Sequence, residues 1–543
     1  MTTELSTSPP ATQNSARAAL FIAVVAVHVI AAAVVRTNGW DDGAITVAFA
    51  QTFADTGDIA LTPGSEQVEG FSSLAWFGWL SLVLWVLPLG FAGAVAASQV
   101  SAAILAGVCA VLLAQLLSDF TPARNRAAVI AGVTLVFGLF INETFNGMEM
   151  TLLTTAVLVG LLGVQRNRLW VVGAAVAAVP FIRLEATGYV AVGAVIATVL
   201  CPPLRRHASV VLATVIASAG ATTLIRLGVF DALIPNTIVA KRSEPYSPVG
   251  VKADLVSRLQ VVQELVYVFA PAAALLAFGV LTSQEERSGF GARVRQVRNT
   301  PLMASAVAYL VGLVLVNLVL GRNWGYLGRM ELSALPVAVL VAAWLVPGVV
   351  ERLGTRRVAT AMLVGVLLAT WAVQLDRAKL AASLHPSASM DVTPAEYRLT
   401  GIAAEHLAER LGMSRITLLT PDVGGVSLCC QRINVLDLGL LTNRRLAADG
   451  YGSIDPYVSR ESPDVVETHG TWSRVSGIYQ SGVFRSRYVP VSVDRTAFFV
   501  RRDLLTKQLC SATVPESATR RDRYRGAPID EQFIAGKQVC IVD

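Results

Sequence analysis

Apolar segments long enough to cross a bilayer recur along this chain from Leu20 to about Trp371, and then they stop. A helix needs about 20 apolar residues to cross the hydrocarbon core of a membrane. Of the 543 residues, 54% are hydrophobic and 15% are charged, and the mean hydropathy is +0.57. An ordinary soluble domain carries about 25% charged residues. The sequence therefore excludes a soluble globule and predicts an α-helical polytopic membrane protein with a soluble C-terminal domain.

Clusters of basic residues set the predicted orientation of these helices, because Lys and Arg concentrate in cytoplasmic loops. The chain then has a cytoplasmic tail at 1–17, a membrane domain at 18–375 and an extracytoplasmic domain at 376–543. We expect it in the plasma membrane. The net charge of +6 reflects the cytoplasmic loops and does not indicate nucleic acid as a partner. The five clusters are Arg124/Arg126, Arg166/Arg168, Arg205/Arg206, Arg287 to Arg298, and Arg352 to Arg357.

The number of crossings depends on one short apolar block, Leu74 to Leu89. Three tryptophans lie in it, and Trp is enriched at the membrane interface. We interpret this block as an outer juxtamembrane helix and Gly93 to Leu117 as the next span, which gives about eleven spans with a last one near Val358 to Gln374. The alternative is that both blocks cross, which would place Arg124 and Arg126 outside.

The region after Asp376 is long enough for its own core and reads as an α/β domain. Its pattern predicts a helix, a strand, a turn and two further strands. These predicted elements are a helix at Ala403 to Leu411, strands at Arg415 to Leu419, Ile433 to Asp437 and Ala497 to Arg501, and a turn at Pro421 to Gly425.

Four of the six cysteines fall in this predicted extracytoplasmic domain, where disulfides persist. Three pairings are open, and the sequence does not choose among them. Because a bridge between adjacent cysteines would be strained, we favour Cys429 and Cys430 each reaching Cys510 or Cys540.

Acidic and basic side chains converge on the predicted outer face from distant parts of the sequence. Asp41 and Asp42 follow the first apolar helix, and ionisable groups at membrane depth are costly and usually functional. Lys241, Arg242 and Arg329 lie outside against the orientation rule, which favours an anionic ligand. Such a set fits a charged, lipid-linked substrate, with cations for a phosphate and carboxylates for proton transfer or a metal. The other members are Glu69, Glu149, Arg183, Glu185 and Asn236.

Each residue also has a structural interpretation. The three cations could bind lipid headgroups. The glutamates at 149 and 185 could sit at helix N-termini, where the dipole favours them. Asp41 and Asp42 could cap a helix running from Ile45 to Asp55. For His28, inside the first span, packing is the favoured interpretation.

Eight short motifs in order give a resemblance to a known family. The chain resembles the GT-C fold membrane glycosyltransferases, and is most similar to the actinobacterial terminal arabinofuranosyltransferases that finish cell-wall arabinan. The resemblance covers about Trp40 to Leu441. Two motifs depart from the family, at Arg183-Leu184-Glu185-Ala186 and at Ile238, and they bear on donor specificity. The motifs are Asp41-Asp-Gly, Val68-Glu-Gly-Phe-Ser-Ser, Gly147-Met-Glu, Arg183-x-Glu, Pro235-Asn-Thr-x-x-Ala-Lys, Gly328-Arg, Asp422-Val-Gly-Gly and Val435-Leu-Asp-Leu-Gly-Leu.

The resemblance implies an extracytoplasmic reaction with a polyprenyl-phosphate-sugar donor, an arabinofuranosyl group and a cell-envelope glycan acceptor. It also implies a divalent cation (Mg²⁺, Mn²⁺ or Ca²⁺), for which Asp41 and Asp42 are the expected ligands. Glycosyl transfer needs the leaving phosphate stabilised, by Lys241, Arg242 or Arg329 or by that metal. It needs a base for the acceptor hydroxyl, and we expect one of Asp41 and Asp42 in that catalytic role.

Two rival functions remain. A transporter or flippase of a lipid-linked saccharide would predict inverted repeats with Gly/Pro-broken helices, and the sequence shows no such symmetry. A non-catalytic scaffold or carbohydrate receptor would use the membrane part only as an anchor, and the clustered acids of the first loop argue against it.

Overall fold

The computed structural model describes most of the chain. The described residues are 10–35, 39, 41–120, 124–242, 246, 251–282, 291–321, 328–346, 393–430, 432–494, 496–505, 512–515 and 538–542. Helices dominate the part before residue 346, and helices and strands alternate after residue 393. The predicted last span at about Val358 to Gln374 and the cluster at Arg352 to Arg357 lie outside the described residues.

The helices of the N-terminal two thirds vary from 6 to 32 residues. They are Pro10–Val35, Asp41–Thr56, Leu74–Val86, Phe91–Ser118, Arg124–Leu135, Gly138–Asn146, Met150–Gln165, Leu169–Ile182, Ala186–Leu200, Arg205–Phe230, Asn236–Lys241, Val251–Thr282, Pro301–Leu320 and Ala334–Leu345.

Among the described residues, five helices are long and apolar enough to cross a membrane, or six if a bent pair counts as one span. The chain is therefore a multi-pass membrane protein, and the count of eleven spans stays a prediction. The helix Leu74–Val86 has 13 residues. At about 1.5 Å per residue it is shorter than the hydrocarbon core, but so are four other apolar helices of 10–17 residues, and the juxtamembrane interpretation stays a prediction.

The chain divides into two compact units, and each is built from three separate segments. The first unit comprises Met1–Thr37, Gln99–Thr222 and Asp254–Ser389, and the second comprises Asn38–Ser98, Thr223–Ala253 and Met390–Asp543. Two segments that the sequence assigns to the membrane domain thus cluster with the C-terminal domain.

In the first unit, helices Ala186–Leu200 and Pro301–Leu320 pack closely through small residues. A Cβ added to Gly312 would lie 2.6 Å from the Tyr189 carbonyl oxygen and 2.9 Å from the Gly193 nitrogen. Small residues let membrane helices approach at this distance. His28 is buried in the same unit, with its ring nitrogens 2.7 Å from Thr144 Oγ1 and 2.8 Å from the Leu135 carbonyl oxygen, so the prediction of a packed histidine is confirmed.

A seven-stranded sheet forms the centre of the C-terminal part of the second unit. The strands are β1 (Ile416–Thr420), β2 (Ile433–Asp437), β3 (Val465–Val466), β4 (Tyr488–Val493), β5 (Thr496–Arg501), β6 (Ala512–Pro515) and β7 (Gln538–Val542). Their order across the sheet is β2-β1-β3-β5-β4-β7-β6. Strands β2, β1 and β3 are parallel, whereas β5 is antiparallel to β3 and to β4. The predicted strands at β1, β2 and β5 are confirmed, so this domain is α/β as expected.

The helix before β1 packs its apolar face on the sheet. It spans Pro394–Arg410, and the Thr393 side chain caps it by accepting a hydrogen bond from the Glu396 amide. Tyr397 and Leu407 are among its buried residues. The shorter helices of this domain are Gly424–Ser427, Arg444–Asp449, Ile454–Glu461, Gly470–Val475 and Gly482–Arg487.

The favoured disulfide pairing is wrong. Cys429 and Cys430 are bonded to each other, so neither reaches the distant cysteines. Strain had argued against a bridge between neighbours, but the two adjacent cysteines, one residue after the short helix Gly424–Ser427, are bonded. Cys540 also forms a disulfide. Cys510 lies outside the described residues.

Candidate active site

The two acids that follow the first apolar helix form the first turn of the helix Asp41–Thr56. They differ in environment, because Asp41 is 2% exposed and Asp42 is exposed. The helix begins four residues earlier than the predicted Ile45, so both carboxylates lie at its N-terminus, where the dipole favours negative charge. The buried and the exposed carboxylate can therefore serve different roles.

Asp41 is tied to the loop that follows β1. Its Oδ2 accepts a hydrogen bond from the Gly424 amide and its Oδ1 one from the Gly425 amide, both at 2.6 Å. A Cβ at Gly424 would lie 2.9 Å from Asp41 Oδ2, so this approach requires glycine. Burial raises the pKa of Asp41, and Asp422 raises it further against the lowering effect of the two amides.

Side chains that follow three parallel strands meet at one edge of the sheet. Asp422 comes after β1, Asp437 ends β2, and Glu467 and His469 come after β3. In open α/β sheets, the carboxyl ends of the strands are where ligands bind. Since Asp41 contacts the same loop as Asp422, the N-terminus of the helix Asp41–Thr56 lies at this edge.

His469 lies between two carboxylates. Its Nδ1 is 2.8 Å from both carboxylate oxygens of Glu467, and its Nε2 is hydrogen-bonded to Asp422 Oδ2. The Tyr397 ring stacks on the imidazole with 4.8 Å between centroids. Burial lowers the pKa of His469, but Glu467 and Asp422 outweigh it, so the pKa lies well above its usual value. The imidazole is therefore held protonated and oriented.

Asp437 shapes the turn after β2. Its Oδ1 accepts from the Gly439 amide at 2.5 Å and its Oδ2 from the Thr442 amide at 2.7 Å. Burial raises the pKa of Asp437 to about 7. The motif at 435–440 thus forms the end of β2 and the loop that follows it at this edge of the sheet.

The segment that holds Asn236, Lys241 and Arg242 packs on this loop. The Asn236 amide donates to the carbonyls of Leu440 and Leu441 at 3.0 and 2.7 Å. Lys241 lies in the last turn of the helix that begins at Asn236. Asn236 therefore tethers this segment, and two of the three predicted phosphate ligands, Lys241 and Arg242, lie in the same unit as Asp41 and Asp42.

Glu69 is paired with a residue that the sequence analysis did not single out. Arg226 Nε donates to Glu69 Oε2 at 2.7 Å and Arg226 Nη2 to Oε1 at 3.2 Å, and both side chains are 2% exposed. A bidentate ion pair of this kind fixes the relative orientation of the two side chains as well as neutralising their charges. An arginine inside the apolar helix Arg205–Phe230 was a signal that could have found it.

In the first unit, two predicted cations share one carboxylate oxygen. Arg183 Nη1 and Arg329 Nη2 both donate to Glu149 Oε1, at 2.8 and 2.9 Å, and Arg183 also pairs with Glu185. Glu149, Arg183 and Arg329 are buried. Four of the predicted substrate-binding residues thus form one ion-paired cluster.

Further buried polar groups lie in the first unit and were missed by sequence analysis. Glu143 Oε1 accepts from the Met150 amide at 2.6 Å. Glu331 Oε1 accepts from the Asn317 amide at 2.9 Å, and Asn317 in turn accepts from the Tyr189 hydroxyl at 2.6 Å. Sequence position alone does not distinguish such acids from solvent-exposed ones.

The expected divalent cation finds little support in the donor set. Both Asp41 oxygens already accept amide hydrogen bonds. Within the described ranges, no group of three or more His, Cys, Asp or Glu side chains is arranged to hold a metal ion. Among the described residues the donor set at Asp41 therefore does not fit a resident metal, and no chemical step is derived through one.

No family model matches the sequence, and no curated protein matches it. Among solved structures, the chain is similar to the oligosaccharyltransferase of Archaeoglobus fulgidus in the apo form, with a TM-score of 0.49 and 11% identity over 88% of this chain and 73% of that chain. It is also similar to ArnT from Cupriavidus metallidurans bound to undecaprenyl phosphate, with a TM-score of 0.44 and 13% identity over 82% of this chain and 80% of that chain. Similarities at TM-scores this low assign no function, so the function of this chain is inferred from its own residues.

Proposed function

We propose that this protein is a GT-C-like membrane glycosyltransferase that moves a sugar from a polyprenyl-phosphate donor to a cell-envelope glycan on the extracytoplasmic face. The observation that carries the proposal is the link between Asp41, at the start of the second helix, and the Gly424–Gly425 amides after β1. This link joins the first acids after a membrane helix to the ligand-binding edge of an α/β sheet.

Asp42 is the better candidate for the catalytic base. It is exposed, whereas both oxygens of Asp41 are occupied by amides. In the proposed step, the acceptor hydroxyl gives its proton to Asp42 and its oxygen bonds to the anomeric carbon of the donor. The bond from that carbon to the phosphate oxygen breaks, and polyprenyl phosphate leaves with the electron pair. Asp41 then acts as a positioning residue that orients the turn carrying Asp42.

Lys241 and Arg242 are the better candidates for the leaving phosphate. Lys241 ends the helix that Asn236 anchors and Arg242 follows it, in the unit that also holds Asp42. The other predicted cations, Arg183 and Arg329, are two arginines set against the two carboxylates of Glu149 and Glu185. That cluster is already compensated, so a phosphate would have to compete with buried carboxylates. Substrate binding by its four residues stays a prediction.

The sugar is proposed to be arabinofuranose and the acceptor an arabinan, on the strength of the ordered motifs from Asp41-Asp42-Gly43 to Leu440. A flippase of lipid-linked saccharides is the alternative, but the hydrogen-bonded acids and histidine at the sheet edge give it no specific support.

The test is an assay of the purified full-length protein with polyprenyl-phosphate-arabinose and a synthetic oligoarabinan. We expect free polyprenyl phosphate and a lengthened oligosaccharide in equal amounts. The Asp42→Asn variant should lose activity by about 10²–10⁴-fold. The matched control is Asp58→Asn, at an exposed position of the same loop region. Movement of the donor lipid across vesicles without its cleavage would instead establish the flippase.

A further inference from the structure

We propose that Asp422, held in place by His469, accepts a hydrogen bond from a hydroxyl of the acceptor sugar, and that His469 is its positioning residue. This inference rests on the proposed function and assigns the acceptor end of the same site to the C-terminal domain. Neither residue's role follows from the sequence motifs, which contain Asp422 but not His469.

The first support is the fixed path of hydrogen bonds behind Asp422. His469 Nε2 is bonded to Asp422 Oδ2, and His469 Nδ1 is 2.8 Å from Glu467. Glu467 Oε2 accepts from the Thr420 hydroxyl at 2.8 Å, and Thr420 is the last residue of β1. Each member is therefore oriented by the next and finally by the sheet, which is how supporting hydrogen bonds fix a binding group.

The second support is access. The side chains of Asp422 and His469 are 16% and 18% exposed, whereas Asp41 is 2% exposed. Asp422 is two residues before Gly424, which Asp41 holds. Of these two acids, Asp422 is thus the more accessible to a ligand.

The third support is the chemistry of the sheet edge. Five carboxyl groups and the imidazole of His469 lie on or beside this edge, and burial raises the pKa of two of the carboxyls. Carboxyl groups suit a polyol, because their oxygens accept hydrogen bonds from hydroxyls. The five are Asp41, Asp42, Asp422, Asp437 and Glu467.

The test measures acceptor binding apart from turnover. Binding of the synthetic oligoarabinan to the full-length protein is followed by calorimetry without donor, and transfer is followed with donor. We expect Asp422→Asn and His469→Ala to weaken acceptor binding and raise the acceptor KM by about 10- to 100-fold, with the donor KM within about twofold.

Two further variants separate positioning from folding. Glu467→Gln keeps an acceptor oxygen for Thr420 but removes the charge that faces His469, so we expect an acceptor KM between those of the wild type and His469→Ala, with a melting temperature that shows a folded protein. His406→Ala is the matched control, because His406 is an exposed histidine paired with an aspartate, Asp494, in the same domain. It should change neither binding nor KM.

The outcomes distinguish the two proposals. Acceptor binding that weakens in Asp422→Asn and His469→Ala, without any transfer by the wild type, would support this inference and refute the proposed function. Transfer by a wild type whose acceptor KM is unchanged in Asp422→Asn would overturn the inference alone. A uniform drop in kcat with intact acceptor binding would also overturn it, since a structural role would suffice.

Discussion

Replacing Asp41 by alanine should destabilise the protein, whereas the same change at Asp42 should not. Asp41 is buried and accepts the amides of Gly424 and Gly425 at 2.6 Å each. Asp42 is exposed on the same helical turn. The pair therefore offers an internal comparison between a carboxylate that holds a loop and one that faces solvent.

The expected magnitude follows from the two amides that would lose their acceptor. A buried donor left without a partner costs about 1–3 kcal/mol, so two of them cost about 2–6 kcal/mol. Removing the buried carboxyl group returns part of its own desolvation cost. We therefore expect Asp41→Ala to lower the free energy of unfolding by about 2–4 kcal/mol, and Asp41→Asn, which keeps one acceptor oxygen, by about half of that.

The measurement is a guanidinium titration of the detergent-solubilised protein followed by tryptophan fluorescence, with transfer activity assayed in parallel. Asp42→Ala should unfold within about 0.5 kcal/mol of the wild type but lose about 10²–10⁴-fold in turnover. Asp58→Ala, also exposed, should change neither. An Asp41→Ala protein as stable as the wild type would refute the role of this carboxylate as the anchor of the loop.

Three other outcomes follow from the structure. Lys241→Ala and Arg242→Ala should raise the donor KM more than the acceptor KM, and the reverse would assign them to a glycan groove. The melting-temperature difference between wild type and His469→Gln should be largest below the unfolded-state pKa of about 6.5 and should shrink as the pH rises through the raised folded-state pKa, since protonation stabilises the folded state; a difference that grows with pH would contradict this. A cysteine at exposed Ser486 should react with an impermeant thiol reagent outside cells and one at exposed Asn299 should not, and the opposite labelling would invert the predicted orientation.

Local patterns predicted the elements of the C-terminal domain well. Strands β1, β2 and β5 each have a short apolar run bounded by polar or turn residues. The helix predicted at Ala403 to Leu411 spans Pro394–Arg410, so its periodicity located the element but not its start. These signals lie within a few residues of one another. They specify an element without any knowledge of what it packs against.

Partners far apart in sequence could not be predicted in this way. Asp41 was expected to be catalytic and to hold a metal, but its contacts are with amides 383 and 384 residues later. His469 follows β3, which has only two residues and is too short to show periodicity. Its hydrogen bond to Asp422 becomes visible only in the folded sheet, where β1 and β3 are paired.

Charged residues in apolar segments predict buried partners, and one such residue, Arg226, was not recognised from the sequence. Arg226 lies in a span-length helix, so its cost at membrane depth predicts a partner, and Glu69 is that partner. Glu69 was expected to bind substrate, and that role stays a prediction; the structure shows its buried bidentate ion pair with Arg226. The disulfide of Cys429 and Cys430 could not be predicted either, because the usual distance between bonded cysteines disfavours a bridge between neighbours.

The joining of residues near 41 to residues near 424 has a consequence for synthesis. At about 5–20 residues per second, a ribosome needs roughly 20 to 80 s to make the 383 residues that separate Asp41 from Gly424. During that interval the carboxylate has no amide to accept from, and the loop at 57–73 cannot reach its final packing. A chaperone or protease that binds nascent chains would therefore find this segment accessible until translation is nearly complete. In truncated chains that end before Gly424, the segment at 57–73 should remain permanently accessible.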